Sequence, residues 1–147
     1  VNVEYVRDRN DVSDHAVRID DNRHFILPSG IYFNGDLTIT CWIRPIKTGL
    51  YSRILEFGNG QKMDNVLLYF DEQTFKVSFG IYENQIENRI VSNDELEIGK
   101  WSHIAITLNN QSVRIYANSK LLIENTSSNF VPSSIERKNN FIGKSSW

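Results

Sequence analysis

The sequence has little of what several protein classes require. Its 147 residues include a single cysteine, Cys41, so the chain cannot close an internal disulfide. No apolar run approaches the roughly 18 residues of a membrane-spanning helix, and we therefore expect no direct membrane insertion. The three histidines are scattered, which with one cysteine excludes a zinc site of the Cys/His type.

The chain also lacks a large excess of charge of either sign. The chain has 16 Lys and Arg residues against 18 Asp and Glu residues, for a formal net charge of -2, and the two signs are interspersed. Binding to nucleic acid depends on a basic surface that neutralises phosphates, and no basic stripe is present. We therefore predict no nucleic-acid partner.

Alternation of apolar and polar residues dominates what is present. In residues 74–82 every second side chain is apolar, beginning at Phe75, which is typical of a strand with one buried face. Helix signals are nearly absent, and turn-forming residues such as Asn34-Gly35 separate the alternating stretches. The other predicted strands are 16–19, 24–27, 36–45, 51–57, 65–71, 86–92, 101–108, 112–118, 120–124 and 140–143.

Strands of this number cannot form one flat sheet without exposing an apolar face and long edges. The pattern therefore predicts an all-β domain of two packed antiparallel sheets. Cys41 alternates with apolar neighbours and is expected to be a buried, unreactive thiol. The predicted core consists of Ile39, Ile43, Leu55, Phe57, Leu68, Phe70, Phe75, Val77, Phe79, Ile104, Ile106, Val113, Ile115, Leu122 and Phe141.

Four segments carry a resemblance to a known family. They read LTITCWIRP at 37–45, GKWSHIAIT at 99–107, VRIYAN at 113–118 and NFIGKS at 140–145. In this order they resemble the laminin G-like group of the concanavalin A-like lectin/glucanase superfamily. The resemblance implies a jelly-roll sandwich of two curved antiparallel sheets. It also implies that Trp42 and Trp101 are aromatic anchors of the core.

The sequence departs from that family at two places. Asn118-Ser119 stands where the family usually has Asn-Gly or Asp-Gly, and serine tolerates positive φ less well than glycine, which suggests a different turn type. Family members also continue beyond the segment at 140–145 into a last strand. We therefore expect residues 1–147 to be one laminin G-like domain without that C-terminal strand, as in a fragment of a longer protein, with residues 1–6 or a neighbouring chain in its place.

The resemblance further implies a possible calcium site. Laminin G-like domains often hold Ca²⁺ at the rim of the sandwich through one Asp and nearby backbone carbonyls, which are the oxygen ligands that this cation prefers. Asp64 is similar in position to that Asp, and Asn65 or Asn59 could assist. A lone Asp that caps a loop is the alternative interpretation.

Candidate ligand residues are aromatic side chains that point away from the core. Tyr69, Tyr82 and Tyr116 occupy such positions, and Arg114 lies two residues from Tyr116 on the same strand face. They could contact a sugar, or they could simply cover the outer face of a sheet. The tripeptides that begin at Asn110 and Asn125 are possible glycosylation sites.

Glycoside hydrolases that share the jelly roll carry paired carboxylates on one strand. The nearest match, Asp94-Glu95-Leu96-Glu97, lacks the further carboxylate and is predicted to lie in a turn before Trp101. No nucleophile is paired with a base. We therefore expect no enzyme, but a recognition module that binds a glycan or an extracellular protein, located outside the cell or on its surface. A structural spacer or assembly domain that pairs with adjacent domains or chains is the alternative, and a glycosidase is the least favoured.

Overall fold

The computed structural model describes residues 3–109, 112–126 and 130–147. Regular structure in these residues consists of β-strands only, so no helix in them could cross a membrane. The strands are β1 (Glu4–Val6), β2 (Ala16–Arg18), β3 (Phe25–Leu27), β4 (Leu37–Ile43), β5 (Arg53–Gly58), β6 (Val66–Phe70), β7 (Lys76–Glu83), β8 (Ile86–Glu95), β9 (Ser102–Asn109), β10 (Ser112–Ala117), β11 (Lys120–Asn125) and β12 (Asn139–Ile142).

Two main sheets form the fold. One has four strands in the order β11-β10-β9-β4, and the other has six in the order β3-β12-β5-β6-β7-β8. All pairings are antiparallel. Apolar side chains from both sheets make one continuous core. The predicted all-β, two-sheet antiparallel jelly-roll sandwich is therefore confirmed.

Strand register explains how the core is built. In the four-stranded sheet Ile106 lies opposite Ile39 on one side and Ile115 on the other. In the six-stranded sheet Leu68 lies opposite both Leu55 and Phe79. Directly opposed residues point to the same face, so rows of Ile, Leu and Phe from the two sheets meet across the interior.

Most of the predicted core is confirmed, but the prediction that Phe141 belongs to it was wrong. Phe141 pairs with Glu56 on the outer face of the six-stranded sheet, whereas its neighbour Asn140 pairs with the core residue Phe57. Asn140 is fully buried, and its Nδ2 donates hydrogen bonds of 2.8 Å to the carbonyls of Pro28 and Arg137. A one-residue shift in the pairing register moves every side chain of a strand to the opposite face. The local sequence does not reveal which register is adopted.

The two predicted aromatic anchors lie outside the core. Trp42 is 46% exposed, because it alternates with core-facing neighbours on β4 and points outward. Its ring lies 5.2 Å from the ring of His103 and 4.7 Å from the Arg9 guanidinium carbon. Trp101 precedes β9 and is half-buried, with the guanidinium of Arg44 5.7 Å from its ring.

The turn between β10 and β11 has the geometry expected of the Asn-Gly or Asp-Gly that the family usually carries there. Asn118 and Ser119 have φ values of 50° and 69°, both positive, as a type I′ hairpin turn requires. The Asn118 side chain contributes by accepting a hydrogen bond of 2.9 Å from the amide of His103. The expectation of a different turn type was therefore wrong.

The N-terminal segment pairs locally. Strand β1, which the sequence analysis missed, pairs with β2 in a separate two-stranded sheet. Of residues 1–6, the structure describes residues 3–6, and the strand within them does not join an edge of either main sheet.

Strand β4 is an edge of the four-stranded sheet. In the described part of the chain it pairs with β9 alone. Its core-facing residues Leu37, Ile39, Cys41 and Ile43 are only partly buried, although they pack against the core. An unpaired strand whose apolar side chains are incompletely covered is a surface on which another strand can add.

The thiol of Cys41 should be slow to react in the folded protein. Burial raises its pKa from 9.0 to about 11, so the nucleophilic thiolate is scarce at neutral pH. Alkylation by iodoacetamide is expected to be slow until denaturant unfolds the chain. Because the folded state retains the proton, the associated stability is complete below the unfolded pKa and is lost as the pH rises toward 11. Equal alkylation rates with and without denaturant would show that the thiol is not protected.

Candidate functional site

The outer face of the six-stranded sheet carries a set of connected polar side chains. Alternation on β5 to β8 directs one set of residues to the core and the other set outward. The outward set forms what we call the polar face. It consists of Arg53, Glu56, Tyr69, Tyr82, Glu87 and Arg89.

Glu87 organises the centre of the polar face. Its carboxylate accepts hydrogen bonds from the hydroxyls of Tyr69, at 2.9 Å, and Tyr82, at 3.1 Å. Gly80 on β7 leaves room for this carboxylate, because a Cβ there would lie 2.7 Å from Glu87 Oε1. Burial, and then the charge of Glu87, raises the pKa of Tyr82 to about 12 and also raises the pKa of Tyr69. Both hydroxyls therefore remain protonated donors at physiological pH.

A buried ion pair lies beside this centre. Arg53 Nε donates to Glu56 Oε2 at 3.1 Å, and the two side chains are 4% and 0% exposed. Arg53 Nη1 also donates to the carbonyl of Tyr51 at 2.8 Å. The guanidinium carbon lies 4.9 Å from the ring of Tyr69 and 4.9 Å from that of Trp147. These additional contacts compensate for part of the desolvation that burying two charges costs.

The C-terminal residues lie across one part of the polar face. The amide of Ser146 donates to Glu56 Oε1 at 3.2 Å, and the Ser146 hydroxyl donates to the same oxygen. The ring of Trp147 packs edge-on against Tyr82, with 5.4 Å between centroids, and the residue is 45% exposed. Arg89, whose side chain is 40% exposed, pairs with Asp71 at 3.1 Å. Trp147 and Arg89 are therefore more accessible to solvent than Arg53 and Glu56.

The four predicted ligand residues lie on opposite sides of the sandwich. Tyr69 and Tyr82 belong to the polar face, where both are nearly buried and not exposed as expected. Arg114 and Tyr116 lie on β10, on the outer face of the other sheet, where they line an open groove of about 470 Å³ with Asp36. Arg114 also pairs with Glu124 at 2.7 Å. These residues cannot contact a single small ligand together, and ligand contact at each stays a prediction.

The predicted calcium ligands are only partly engaged in hydrogen bonds. The Asp64 carboxylate accepts a hydrogen bond of 3.4 Å from Asn59 Nδ2, and the Asp64 carbonyl accepts one of 2.7 Å from Arg137 Nε. Asn65 is buried, and its Nδ2 donates to the carbonyl of Gly60 at 3.0 Å, whereas its Oδ1 has no hydrogen-bond partner in the described structure. Over the described residues, no group of three or more His, Cys, Asp or Glu is placed to hold a metal ion. Calcium binding by Asp64 and Asn65 stays a prediction.

The acidic segment near residue 95 is partly in a strand. Asp94 and Glu95 end β8, so the predicted turn begins later than expected. Asp94 pairs with Lys120 at 2.9 Å, and Glu97 pairs with Lys100 at 2.6 Å. Each of these two carboxylates thus has a lysine partner. Of the predicted glycosylation sites, Asn110 lies outside the described residues, and Asn125 is exposed at the end of β11.

The two antiparallel sheets and the polar face on one of them define a β-sandwich of the jelly-roll class. Residues 15–147 match the Laminin_G_3 family, of the concanavalin A-like lectin/glucanases superfamily. The chain therefore belongs to this family, and the resemblance stated from the sequence is confirmed. A comparison with curated proteins gives no match.

Solved structures with the same fold include carbohydrate-binding modules. The Ruminococcus gnavus IT-sialidase CBM40 bound to α2,3 sialyllactose has a TM-score of 0.68 at 12% identity, over 84% of this chain and 78% of that one. The CBM66 module from Bacillus subtilis has a TM-score of 0.51 at 18% identity, over 78% and 72%. Mouse laminin α1 domains LG4-5 give 0.62 at 14% identity, over 82% and 31%. At these identities the likeness shows the fold alone.

Proposed function

We propose that the protein is a non-catalytic recognition module that binds a glycan through its polar face. One observation carries the proposal: Trp147 and Arg89 are exposed on a base of buried side chains that hydrogen bonds and ring contacts already hold in place. Such a base loses little conformational entropy when a ligand binds. The fold shared with carbohydrate-binding modules supports the same proposal.

The chemistry of these two exposed groups suits a sugar. A guanidinium can donate two parallel hydrogen bonds to a carboxylate or to neighbouring hydroxyls, and an indole ring offers a flat apolar surface. Arg89 can therefore hold the polar edge of a sugar while Trp147 packs against its ring. CBM40 has been seen with sialyllactose, so sialylated oligosaccharides are the first ligands to test.

The state of the buried carboxylates supports a binding role without catalysis. A glycosidase needs two carboxyl groups that flank the bond to be cleaved, one to protonate the leaving oxygen and one to act as nucleophile or base. On the polar face Glu56 is paired with Arg53 and Ser146, and Glu87 accepts hydrogen bonds from two tyrosines. We infer that both carboxylates organise the surface and do not react.

Replacing Arg89 with alanine should weaken glycan binding about 10-fold to 100-fold, because a charge-assisted hydrogen bond contributes about 1.5–3 kcal/mol. Trp147→Ala should have an effect of similar size through the lost ring contact. Binding would be measured on a glycan array and then by calorimetry with the best ligand, starting from α2,3 and α2,6 sialyllactose.

Arg114→Ala is the matched control, because it removes a partly exposed arginine from the other sheet. Its affinity should equal that of the wild type. Loss of binding in Arg114→Ala, with Arg89→Ala unaffected, would move the site to the Tyr116 groove. An array without any saturable ligand would reject glycan recognition.

An assembly role is the second candidate, and the open edge of β4 supports it. Leu37, Ile39 and Ile43 are incompletely covered there, and a strand from another chain could both pair with β4 and cover them. Sedimentation equilibrium separates the two roles. Assembly requires self-association that a lysine at the exposed Thr40 of β4 weakens, whereas a monomer at all concentrations would reject pairing between copies.

We also propose that the protein acts outside the cell or on its surface. The exposed Asn125 in an Asn-Thr-Ser tripeptide supports this location, since such sites receive glycans in the secretory pathway. Mass spectrometry of the natural protein would detect the glycan.

A further inference from the structure

Arg137 is a buried cation whose hydrogen-bond partners are backbone oxygens. The residue is 1% exposed, and no carboxylate of the described residues lies within ion-pair distance of its guanidinium. Nε donates to the carbonyl of Asp64 at 2.7 Å, and Nη1 donates to the carbonyl of Ser133 at 3.1 Å and contacts that of Ile135 at 3.5 Å. A buried charge with such partners requires a structural explanation.

Backbone contacts fix the position of this guanidinium. The amide of Arg137 donates to the carbonyl of Gly30 at 2.9 Å, and the amide of Gly30 donates back at 3.1 Å. The ring of Phe33, which belongs to the core, lies 5.2 Å from the guanidinium carbon. Arg137 therefore ties three parts of the chain together: the segment before β4, the loop before β6 and the segment before β12.

The oxygens around Arg137 are the kind that a hard cation selects. Backbone carbonyls converge there from two different segments, and the half-buried carboxylate of Asp64 lies next to them. Calcium is bound by such sets of carbonyls and carboxylates. Burial lowers the pKa of Arg137, and the charge of Asp64 opposes that effect. Arginine nevertheless stays ionised in proteins, so the positive charge is permanent.

We propose that the guanidinium of Arg137 is a built-in structural cation, which binds backbone oxygens beside Asp64, the residue that the family resemblance gives as a calcium ligand. Asp64 then serves as the negative charge near Arg137 and not as a metal ligand. The loops at this rim are held together without a metal ion, and the stability of the domain is independent of calcium. This proposal does not depend on glycan binding.

The test compares melting temperatures of the whole chain in EDTA and in millimolar calcium. The wild type should melt at the same temperature in both. Arg137→Ala should melt about 10 °C lower in EDTA, because several buried carbonyls lose their donor. Calcium should raise the melting temperature of this variant, since the oxygens and Asp64 are then available to a cation. A role limited to packing would give no calcium response.

Two further variants keep the test decisive. Arg137→Gln removes the charge and keeps an amide donor, so calcium should raise its melting temperature as well; it carries the test if the alanine variant does not fold. Arg114→Ala should melt close to the wild type. A calcium-dependent rise in the wild type, an unchanged melting temperature in Arg137→Ala, or a folded Arg137→Ala that calcium does not stabilise would each overturn the proposal.

Discussion

Replacing Phe79 with alanine is expected to lower the free energy of unfolding by about 3–5 kcal/mol. Phe79 is completely buried on β7, with Leu68 and Ile90 opposite it on the neighbouring strands. Truncation removes the transfer free energy of the ring and leaves a cavity between the two sheets. Chemical denaturation monitored by circular dichroism would measure the loss.

Phe141→Ala is the matched control, because it makes the same chemical change on the outer face of the same sheet. Phe141 is only partly buried and lies outside the core, so the expected loss is roughly 1 kcal/mol. Equal losses for the two variants would mean that the register of β12, and with it the assignment of the outer face, is wrong.

Replacing Arg53 with alanine should lower the free energy of unfolding by about 3–5 kcal/mol, because it leaves the carboxylate of Glu56 buried without a counter-ion. The rings of Tyr69 and Trp147 also lose the group that lies near both of them. Denaturation at neutral pH would measure the effect. The control is Arg114→Ala, whose ion pair with Glu124 is about one-third exposed and should contribute less than about 1 kcal/mol.

The double variant Arg53→Met with Glu56→Leu tests the cause. If the unpaired carboxylate is responsible, removing both charges should restore much of the stability that Arg53→Ala loses. A double variant no more stable than Arg53→Ala would show that the lost ring contacts matter more. An Arg53→Ala variant as stable as Arg114→Ala would contradict the buried ion pair itself.

The sequence predicted the sheets well because a period of two in hydrophobicity directly reflects burial on one strand face. Val77 and Phe79 in β7 follow that period with Phe75 just before the strand, and all three pack in or against the core as expected. The assignments of side chains to the core were wrong where the pairing with neighbouring strands decides which strand face is buried. Asn140 is buried with its Nδ2 held by two backbone carbonyls, and Trp42 is exposed because its neighbours on β4 take the core positions.

The polar face was harder to predict than the core. Tyr69 and Tyr82 were identified as outward residues, but their burial depends on contacts with distant residues, including Glu87 and Trp147. Glu56 was missed, although a carboxylate within a mostly apolar strand is a detectable signal. Its partner Ser146 is 90 positions away, and only the folded chain brings the two together.

The different burial of the charged residues gives those on the polar face two different roles, stability and ligand contact. Arg53 and Glu56 are buried and hold the surface in place. Arg89 and Trp147 are accessible and are the residues proposed to contact the glycan. Substitutions of the first pair should therefore affect stability most, and substitutions of the second pair should affect affinity most. Measuring both quantities on each variant would distinguish a binding surface from a purely structural cluster.

Mapping of backbone amide chemical shifts during titration with the best glycan from the array tests the central claim most directly. The proposed function predicts that the largest shifts fall on Tyr82, Arg89 and Trp147, with the outer face of β9 and β10 unchanged. Shifts concentrated around Arg114 and Tyr116, or confined to loops away from the six-stranded sheet, would contradict it.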